Sequence, residues 1–156
     1  MEVTARAPGK LVLLGEYAVL EGAPALVMGV NRHARVRIAA QAGGECTVSA
    51  PDLGLADVPL RIGAGGVPDW RGSADAAAKL RLVDQVLRGL VPASLAPAEG
   101  RGFSLHLDTA AFFDAENVGQ SPAAKLGLGS SAALTVALAS AFAVFVGRGQ
   151  IGRAHV

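Results

Sequence analysis

Two glycines and two serines stand at the start of an apolar segment late in the chain. The stretch reads Gly127-Leu128-Gly129-Ser130-Ser131, and small apolar residues follow it. Glycine permits positive φ and the close approach of another group to the backbone. The first turn of a helix leaves N–H groups without intrahelical partners, and these donors, together with the helix dipole, attract anions. The glycine turn (Gly127–Gly129) and its two serines therefore predict a phosphate site.

The glycine turn has three alternative interpretations besides phosphate binding: a helix cap, a dinucleotide-binding turn and a Walker A loop. A plain helix cap requires only Ser130, and the two glycines would then be an unneeded entropic cost. The letters GLGSSA also fit the dinucleotide pattern G-x-G-x-x-A, but that motif follows the first strand of a βαβ unit and precedes an acidic residue about 20 positions later. A Walker A loop needs a lysine directly after its glycines, and none stands there. A phosphate site of another lineage is the best interpretation.

The elements that position the turn are predicted from the apolar pattern. The segment from Ser131 to about Val146 is apolar on nearly every side, which is typical of a helix that is buried on all of its faces. The remaining predictions are strands at 3–7 and 10–14 separated by a Pro8-Gly9 turn, a fully buried strand at 24–30, a half-exposed strand at 34–38, an antiparallel meander over 25–49, a loop over 50–72, a helix from Asp75 to Arg88 closed by Gly89, and a strand at 103–108.

Composition limits the class of protein. The 156 residues carry 14 basic and 13 acidic side chains, so no polyanionic partner is implied. The single cysteine, Cys46, excludes an internal disulfide and is expected to be a small buried hydrophobe. No secretion signal is recognised at the start of the chain, and the apolar segment from Ala132 to Val146 is shorter than the roughly 20 residues that span a bilayer. We expect a cytoplasmic protein without a membrane or nucleic-acid partner.

A second motif near the N-terminus identifies a family. Ala7-Pro8-Gly9-Lys10 is followed by Gly15-Glu16, and the sequence Gly-Leu-Gly-Ser-Ser-Ala-Ala comes about a hundred residues later. The two motifs in this order resemble the GHMP kinases, which include galactokinase, homoserine kinase, mevalonate kinase and phosphomevalonate kinase. Within that superfamily, the stretch from Gly15 to Gly22 is most similar to the bacterial phosphomevalonate kinases. Mevalonate kinases usually carry histidine where Tyr17 stands.

The resemblance implies a role for each matching residue. The ATP phosphates would be wrapped by Gly127, Leu128, Gly129, Ser130, Ser131 and Ala132. Ser131 would be a ligand of the Mg²⁺ carried on ATP, and Lys10 would offset charge near the acceptor hydroxyl during transfer. Glu16 and Tyr17 would lie near the acceptor, and Asn31 would face the adenine.

The resemblance also implies the fold and the reaction. The fold would be α+β, with two layers, a mostly antiparallel sheet and helices on one face, similar to certain ribosomal proteins. The reaction would transfer the ATP γ-phosphoryl group to phosphomevalonate, a small isoprenoid-pathway metabolite, to give the diphosphate. Mevalonate kinase or another small-metabolite GHMP kinase is the alternative within the superfamily. A non-catalytic binding module on the same fold is the alternative from another class.

Members of the superfamily are roughly twice as long as this chain. We therefore expect residues 1–150 to be a truncated N-terminal ATP-binding domain, with the C-terminal domain, the acidic Mg²⁺ partner and the catalytic aspartate absent. Residues 151–156 match the translation of a common sequencing adapter, so we expect them to be a non-native tail. The fragment alone would be inactive, and its uncovered apolar helix would make it poorly soluble or loosely packed.

Overall fold

The computed structural model describes residues 1–63, 67–90, 101–113 and 124–146. Within them, six strands form one sheet in the order β1-β2-β6-β3-β4-β5. Their bounds are Glu2–Leu14 (β1), Leu26–Ala42 (β2), Cys46–Ala50 (β3), Leu55–Ile62 (β4), Pro68–Trp70 (β5) and Arg101–Asp108 (β6). Neighbouring strands are antiparallel except β3 and β6, which are parallel. The described α-helices are Ala74–Lys79 (α1), Arg81–Leu90 (α2) and Ser130–Phe145 (α3).

The core lies between the sheet and its helices. Along β2, the side chains of Ala34, Val36 and Ile38 are fully buried, while Arg35 and Arg37 between them are exposed. This period of two places one face of the strand in the core, because successive side chains of a strand point to opposite faces. Helix α3 packs on β1 and β2, and α2 packs on α3 and β5. The predicted α+β fold, with helices on one face of a mostly antiparallel sheet, is confirmed.

The predicted late helix is confirmed with small differences at its ends. Helix α3 begins at Ser130 and ends at Phe145, and its buried side chains include Ala137, Leu138 and Phe142. The ring of Phe142 meets the ring of Phe103 on β6 edge to face, at 5.8 Å between centroids. Two further apolar side chains of the helix, Val136 and Val144, are exposed.

The first two predicted strands are in fact one. Pro8 and Gly9 were predicted to form a turn, but β1 continues through them, and the irregularity falls on its partner strand. Pro8 pairs with His33 and Gly9 with Val30, so β2 carries two extra residues, Asn31 and Arg32, at this point. The pair is a β-bulge, which locally redirects the strand and increases its twist.

Three other predictions about the sheet are wrong in pairing, in extent or in burial. The meander over 25–49 does not form, because β6 lies between β2 and β3 and pairs with both. The predicted loop over 50–72 contains β4 and β5. The apolar run over 24–30 is not buried on both faces, since Leu26, Val27 and Met28 are each about half exposed. The strand at 103–108 is confirmed within β6.

The predicted helix over 75–88 is two helices that meet at Leu80. Its cap is Ser73 rather than Asp75, because the Ser73 hydroxyl accepts a hydrogen bond from the N–H of Ala76. Gly89 lies inside α2 rather than after its end.

Cys46 is buried as expected, with 3% of its surface exposed, and burial raises the pKa of its thiol. None of the described helices is long and apolar enough to cross a bilayer. The predicted domain limit at 150 and the predicted non-native tail, residues 151–156, lie outside the described residues.

Candidate phosphate-binding site

The glycine turn has the backbone conformation that the sequence predicts for an anion site. Gly127 and Gly129 have φ of 69° and 72°, in the left-handed region that favours glycine. Gly129 is the N-cap of α3, and its carbonyl accepts the first intrahelical bond from the N–H of Ala133, at 3.0 Å. The N–H groups at 130, 131 and 132 precede that bond and therefore have no intrahelical partner. A left-handed residue followed by helical residues also brings successive N–H groups together into a concave anion site.

The two serines after the turn differ in exposure. Ser130 is 5% exposed and is the first helical residue, so it is not the cap that the plain-cap interpretation requires. Because the N-cap is a glycine, no side chain at that position competes for the first-turn N–H groups. Ser131 is exposed. Its hydroxyl is therefore the more accessible of the two to a bound ligand.

Lys10 lies directly against the glycine turn. Its backbone N–H donates a 2.9 Å hydrogen bond to the carbonyl oxygen of Leu128. A Cβ built on Gly129 would lie 3.0 Å from the Lys10 Cγ, so the lysine stem packs on the helix start. The structure thus brings the N-terminal motif and the glycine turn together, and places the stem of a flexible cation beside the unpaired N–H groups.

A small cavity adjoins the first turn of α3. Its volume is about 180 Å³. Two cationic residues, Lys79 and Lys125, line it together with Ser131. Asp52 lines it as well, and its carboxylate accepts hydrogen bonds from the N–H and hydroxyl of Thr109. The other lining residues are Ala50, Leu53, Leu80, Leu82, Val83, Leu107, Thr109, Ser130 and Leu134.

The cavity was missed from the sequence. Asp52, Lys79, Thr109 and Lys125 come from four separate segments, and no fixed spacing joins them. Asp52 also falls within the predicted loop over 50–72, whereas it belongs to a 3-10 helix, Pro51–Leu53, that ends next to β4. The only available signal was the charge of Lys79 and Lys125 in otherwise apolar surroundings.

The other predicted site residues lie beyond the end of β1 or in the β2 bulge. Glu16 and Tyr17 follow the end of β1 at Leu14, and both are exposed. Leu14 lies four positions after Lys10 along β1, which is about 13 Å at the usual rise per residue. Asn31 is exposed in the β2 bulge, and it is not among the residues that line the cavity.

The described residues contain no group of three His, Cys, Asp or Glu side chains that could hold a metal ion. What they offer a divalent ion is the Ser131 hydroxyl at the helix start. One neutral oxygen fits an ion that arrives already bound to a polyphosphate, because Mg²⁺ keeps several waters and takes phosphate oxygens as ligands.

No protein-family model matches the chain. It is 34% identical over 161 residues to a phosphomevalonate kinase of Streptomyces sp. strain CL190, an alignment that covers 93% of this chain and 38% of the relative. Among solved structures, the Methanococcus jannaschii mevalonate kinase matches with a TM-score of 0.69 and 18% identity, covering 96% of this chain and 42% of that one. Streptococcus pneumoniae phosphomevalonate kinase in complex with phosphomevalonate and AMPPNP matches with a TM-score of 0.54 and 19% identity, covering 91% and 36%.

The chain thus spans about 38% of the length of the curated relative that it matches. The two structural matches are below 25% identity and show the fold alone. Nearly all of this chain is aligned in each comparison.

Proposed function

We infer that this chain belongs to the GHMP kinase superfamily, and from that premise we propose that it is the N-terminal ATP-binding domain of a small-molecule kinase. The reaction we propose is transfer of the γ-phosphoryl group of ATP to phosphomevalonate, giving diphosphomevalonate. The observation that carries the proposal is the 2.9 Å hydrogen bond from the Lys10 N–H to the Leu128 carbonyl. It joins the two motifs at one place, where an anion site and a cationic side chain are adjacent.

The glycine turn is proposed to hold the ATP phosphates. Three consecutive N–H groups, at Ser130, Ser131 and Ala132, precede the helical ladder of α3. The N-terminus of a helix carries the equivalent of about half a positive charge. Gly127 has open space within 4 Å of the position where a Cβ would stand, which supports the approach of a phosphate to the backbone there. Leu128 and Gly129 complete the proposed phosphate contacts.

Mg²⁺ enters this scheme as part of the substrate Mg²⁺-ATP. Ser131 is its proposed protein ligand, since its hydroxyl is exposed and that of Ser130 belongs to a buried residue. Lys10 is proposed to offset charge on the transferring group. Phosphoryl transfer depends chiefly on positioning and charge neutralisation, and both groups supply these without covalent chemistry.

The acceptor is proposed to lie toward Glu16 and Tyr17, and the adenine toward Asn31. Exposure of all three side chains supports their availability to ligands. Phosphomevalonate is favoured as the acceptor by the name of the 34% identical relative. Mevalonate is the second candidate, favoured by the likeness in fold to a mevalonate kinase.

Binding of Mg²⁺-ATP to the 156-residue chain tests the nucleotide site. The measurement is displacement of a fluorescent ATP analogue by AMPPNP, with and without Mg²⁺, at low protein concentration. We expect Ser131→Ala to weaken binding at least about tenfold in Mg²⁺ and much less without it. Ser140→Ala is the matched control, because Ser140 lies nine residues farther along α3, about 14 Å away.

A wild-type chain that does not bind AMPPNP would refute the nucleotide site, and a Ser131→Ala chain that binds AMPPNP as tightly as wild type in Mg²⁺ would refute the metal-ligand role of Ser131. Binding of RNA in place of ATP would favour the non-catalytic module. The acceptor is tested separately, by offering phosphomevalonate and mevalonate to the full-length protein and measuring ADP release. We expect phosphomevalonate to be used and the 156-residue chain alone to be inactive.

A further inference from the structure

The glycine turn is held from two sides by backbone hydrogen bonds. On one side, the Lys10 N–H donates to the Leu128 carbonyl at 2.9 Å. On the other side, the Leu126 N–H donates to the Phe112 carbonyl, also at 2.9 Å, and Lys125 forms an antiparallel bridge with Phe113. The turn therefore takes its position from β1 and from the short 3-10 helix Ala110–Phe112.

That 3-10 helix is itself tied to β2 by one side chain. The guanidinium Nη1 of Arg32 donates a 2.8 Å hydrogen bond to the carbonyl oxygen of Ala111. Arg32 occupies the β2 bulge opposite the junction of Pro8 and Gly9. In a regular strand its side chain would follow the period-two alternation, whereas a bulge redirects side chains locally.

The bond of Arg32 closes a ring of contacts around the turn. Arg32 holds Ala111, the next residue Phe112 accepts from Leu126, and Leu128 accepts from Lys10. Lys10 and Arg32 are joined in turn by the pairing of β1 with β2. The side chain of Phe112 packs within this circle of contacts, since it is fully buried and its phenyl group lies against Gly9. A shift of the Ala110–Phe112 helix would therefore move the turn relative to Lys10.

We propose that Arg32 is a positioning residue for the phosphate site, acting through the Ala110–Phe112 helix on the glycine turn. The significance for nucleotide binding rests on the proposed function. Arg32 needs no contact with ATP in this role. By holding the Ala111 carbonyl, Arg32 fixes the position of the next carbonyl, that of Phe112, which accepts from the Leu126 N–H. It thereby fixes where the N–H groups at the start of α3 lie relative to the Lys10 side chain.

The test compares Arg32→Met and Arg32→Lys in the 156-residue chain. Methionine keeps much of the apolar stem but cannot donate, whereas lysine retains a charged donor for the single hydrogen bond to Ala111. Arg37→Met is the matched control, an exposed arginine on the same strand. Two quantities are measured at low protein concentration: hydrogen–deuterium exchange of peptides that contain Lys10 and Leu126, and the affinity for Mg²⁺-AMPPNP.

For Arg32→Met we expect faster exchange in those two peptides and unchanged exchange in a peptide covering residues 103–107 of β6. Nucleotide binding should weaken about fivefold to tenfold, the size expected for the loss of one ordinary intramolecular hydrogen bond. Arg32→Lys should restore both quantities most of the way, and Arg37→Met should change neither.

Exchange and affinity within twofold of wild type in Arg32→Met would overturn the proposal. Faster exchange throughout the sheet without rescue by lysine would also overturn it, because it would indicate general destabilisation. If the wild-type chain bound no nucleotide, the proposed function would fail, and the exchange data would still decide whether Arg32 holds the turn.

Discussion

The backbone N–H of Lys10 donates a 2.9 Å hydrogen bond to the carbonyl oxygen of Leu128. This contact requires the glycine that precedes the lysine. A Cβ on Gly9 would stand 2.6 Å from the Leu128 oxygen and 2.5 Å from the Phe112 Cε1. Gly9 does not have a positive φ. Its role is therefore to leave room for the glycine turn, and backbone flexibility is not what the position needs.

Gly9→Ala is expected to separate the turn from β1. Distances below 3.0 Å are not tolerated, and one of the two obstacles is backbone, which cannot move aside as the end of a flexible side chain can. We expect a loss of stability of about 1–3 kcal/mol, typical of overpacking, and at least tenfold weaker binding of Mg²⁺-AMPPNP, or about 1.4 kcal/mol. Urea unfolding and nucleotide displacement measure the two effects.

Gly29→Ala is the matched control for Gly9→Ala. Gly29 pairs with Lys10 across the same two strands, and a Cβ there meets no atom within 4 Å. It should leave nucleotide affinity unchanged and stability unchanged or slightly higher, since alanine costs less conformational entropy than glycine. Equal affinity of Gly9→Ala and Gly29→Ala would show that the turn does not depend on close approach at Gly9.

The sequence was sufficient to predict the parts of the site that are local. The conformation of Gly127 and Gly129 and the helix that follows depend on neighbours in the chain, so pattern and propensity reveal them. Contacts between distant segments are different. Gly9 is a point of close approach because Phe112 and Leu128 lie against it. The spacing of these three residues in the sequence does not predict that contact.

The errors in the fold have related physical causes. Pro8-Gly9 is a common turn dipeptide, but pairing with β2 overrides that preference and the bulge moves to Asn31 and Arg32. The apolar run at 26–28 has the composition of a buried strand, yet burial depends on what packs against it. The meander failed because β6, distant in sequence, inserts between β2 and β3.

Asp84 is expected to stabilise α2 in a way that depends on pH. Its carboxylate accepts from the Arg88 Nε at 2.7 Å and from the Trp70 Nε1 on β5 at 3.0 Å. The Arg88 hydrogen bond holds the pKa of Asp84 below its ordinary value of 3.8. A carboxyl whose pKa is lower in the folded state contributes stability above its unfolded pKa and loses it as pH falls through the folded pKa.

Asp84→Asn should therefore lower the free energy of unfolding by about 1 kcal/mol near neutral pH. The difference from wild type should shrink as pH falls below 3.8. Asp75→Asn is the control, because its pair with Lys79 has the same spacing but is more exposed, and such pairs contribute about 0.3–0.5 kcal/mol. Urea unfolding at several pH values measures both. A difference for Asp84→Asn that persists undiminished in acid would contradict the assigned pKa direction.

One end of the β1–β2 pair is an apolar ribbon, residues 11–14 of β1 and 26–28 of β2. It lies beyond the part of β2 that pairs with β6, which begins at Arg35. Leu14 and Leu26 are cross-strand partners there, 68% and 54% exposed. Apolar area of this kind on an edge strand favours association with another chain. We expect the 156-residue chain to self-associate reversibly at micromolar concentrations.

A double variant, Leu14→Lys with Leu26→Glu, should reduce that association, because it replaces the apolar pair by opposite charges that still pair across the strands. Thr4→Lys with Gln41→Glu is the control, since it adds the same charges to exposed polar positions of the same strands and leaves the ribbon intact. Sedimentation velocity should show a monomer for the first variant and wild-type behaviour for the control. A wild-type chain that is monomeric at all concentrations and unfolds cooperatively would contradict the expectation. In that case the ribbon is stable with Leu14 and Leu26 exposed to water, and its stability does not depend on burial by another chain.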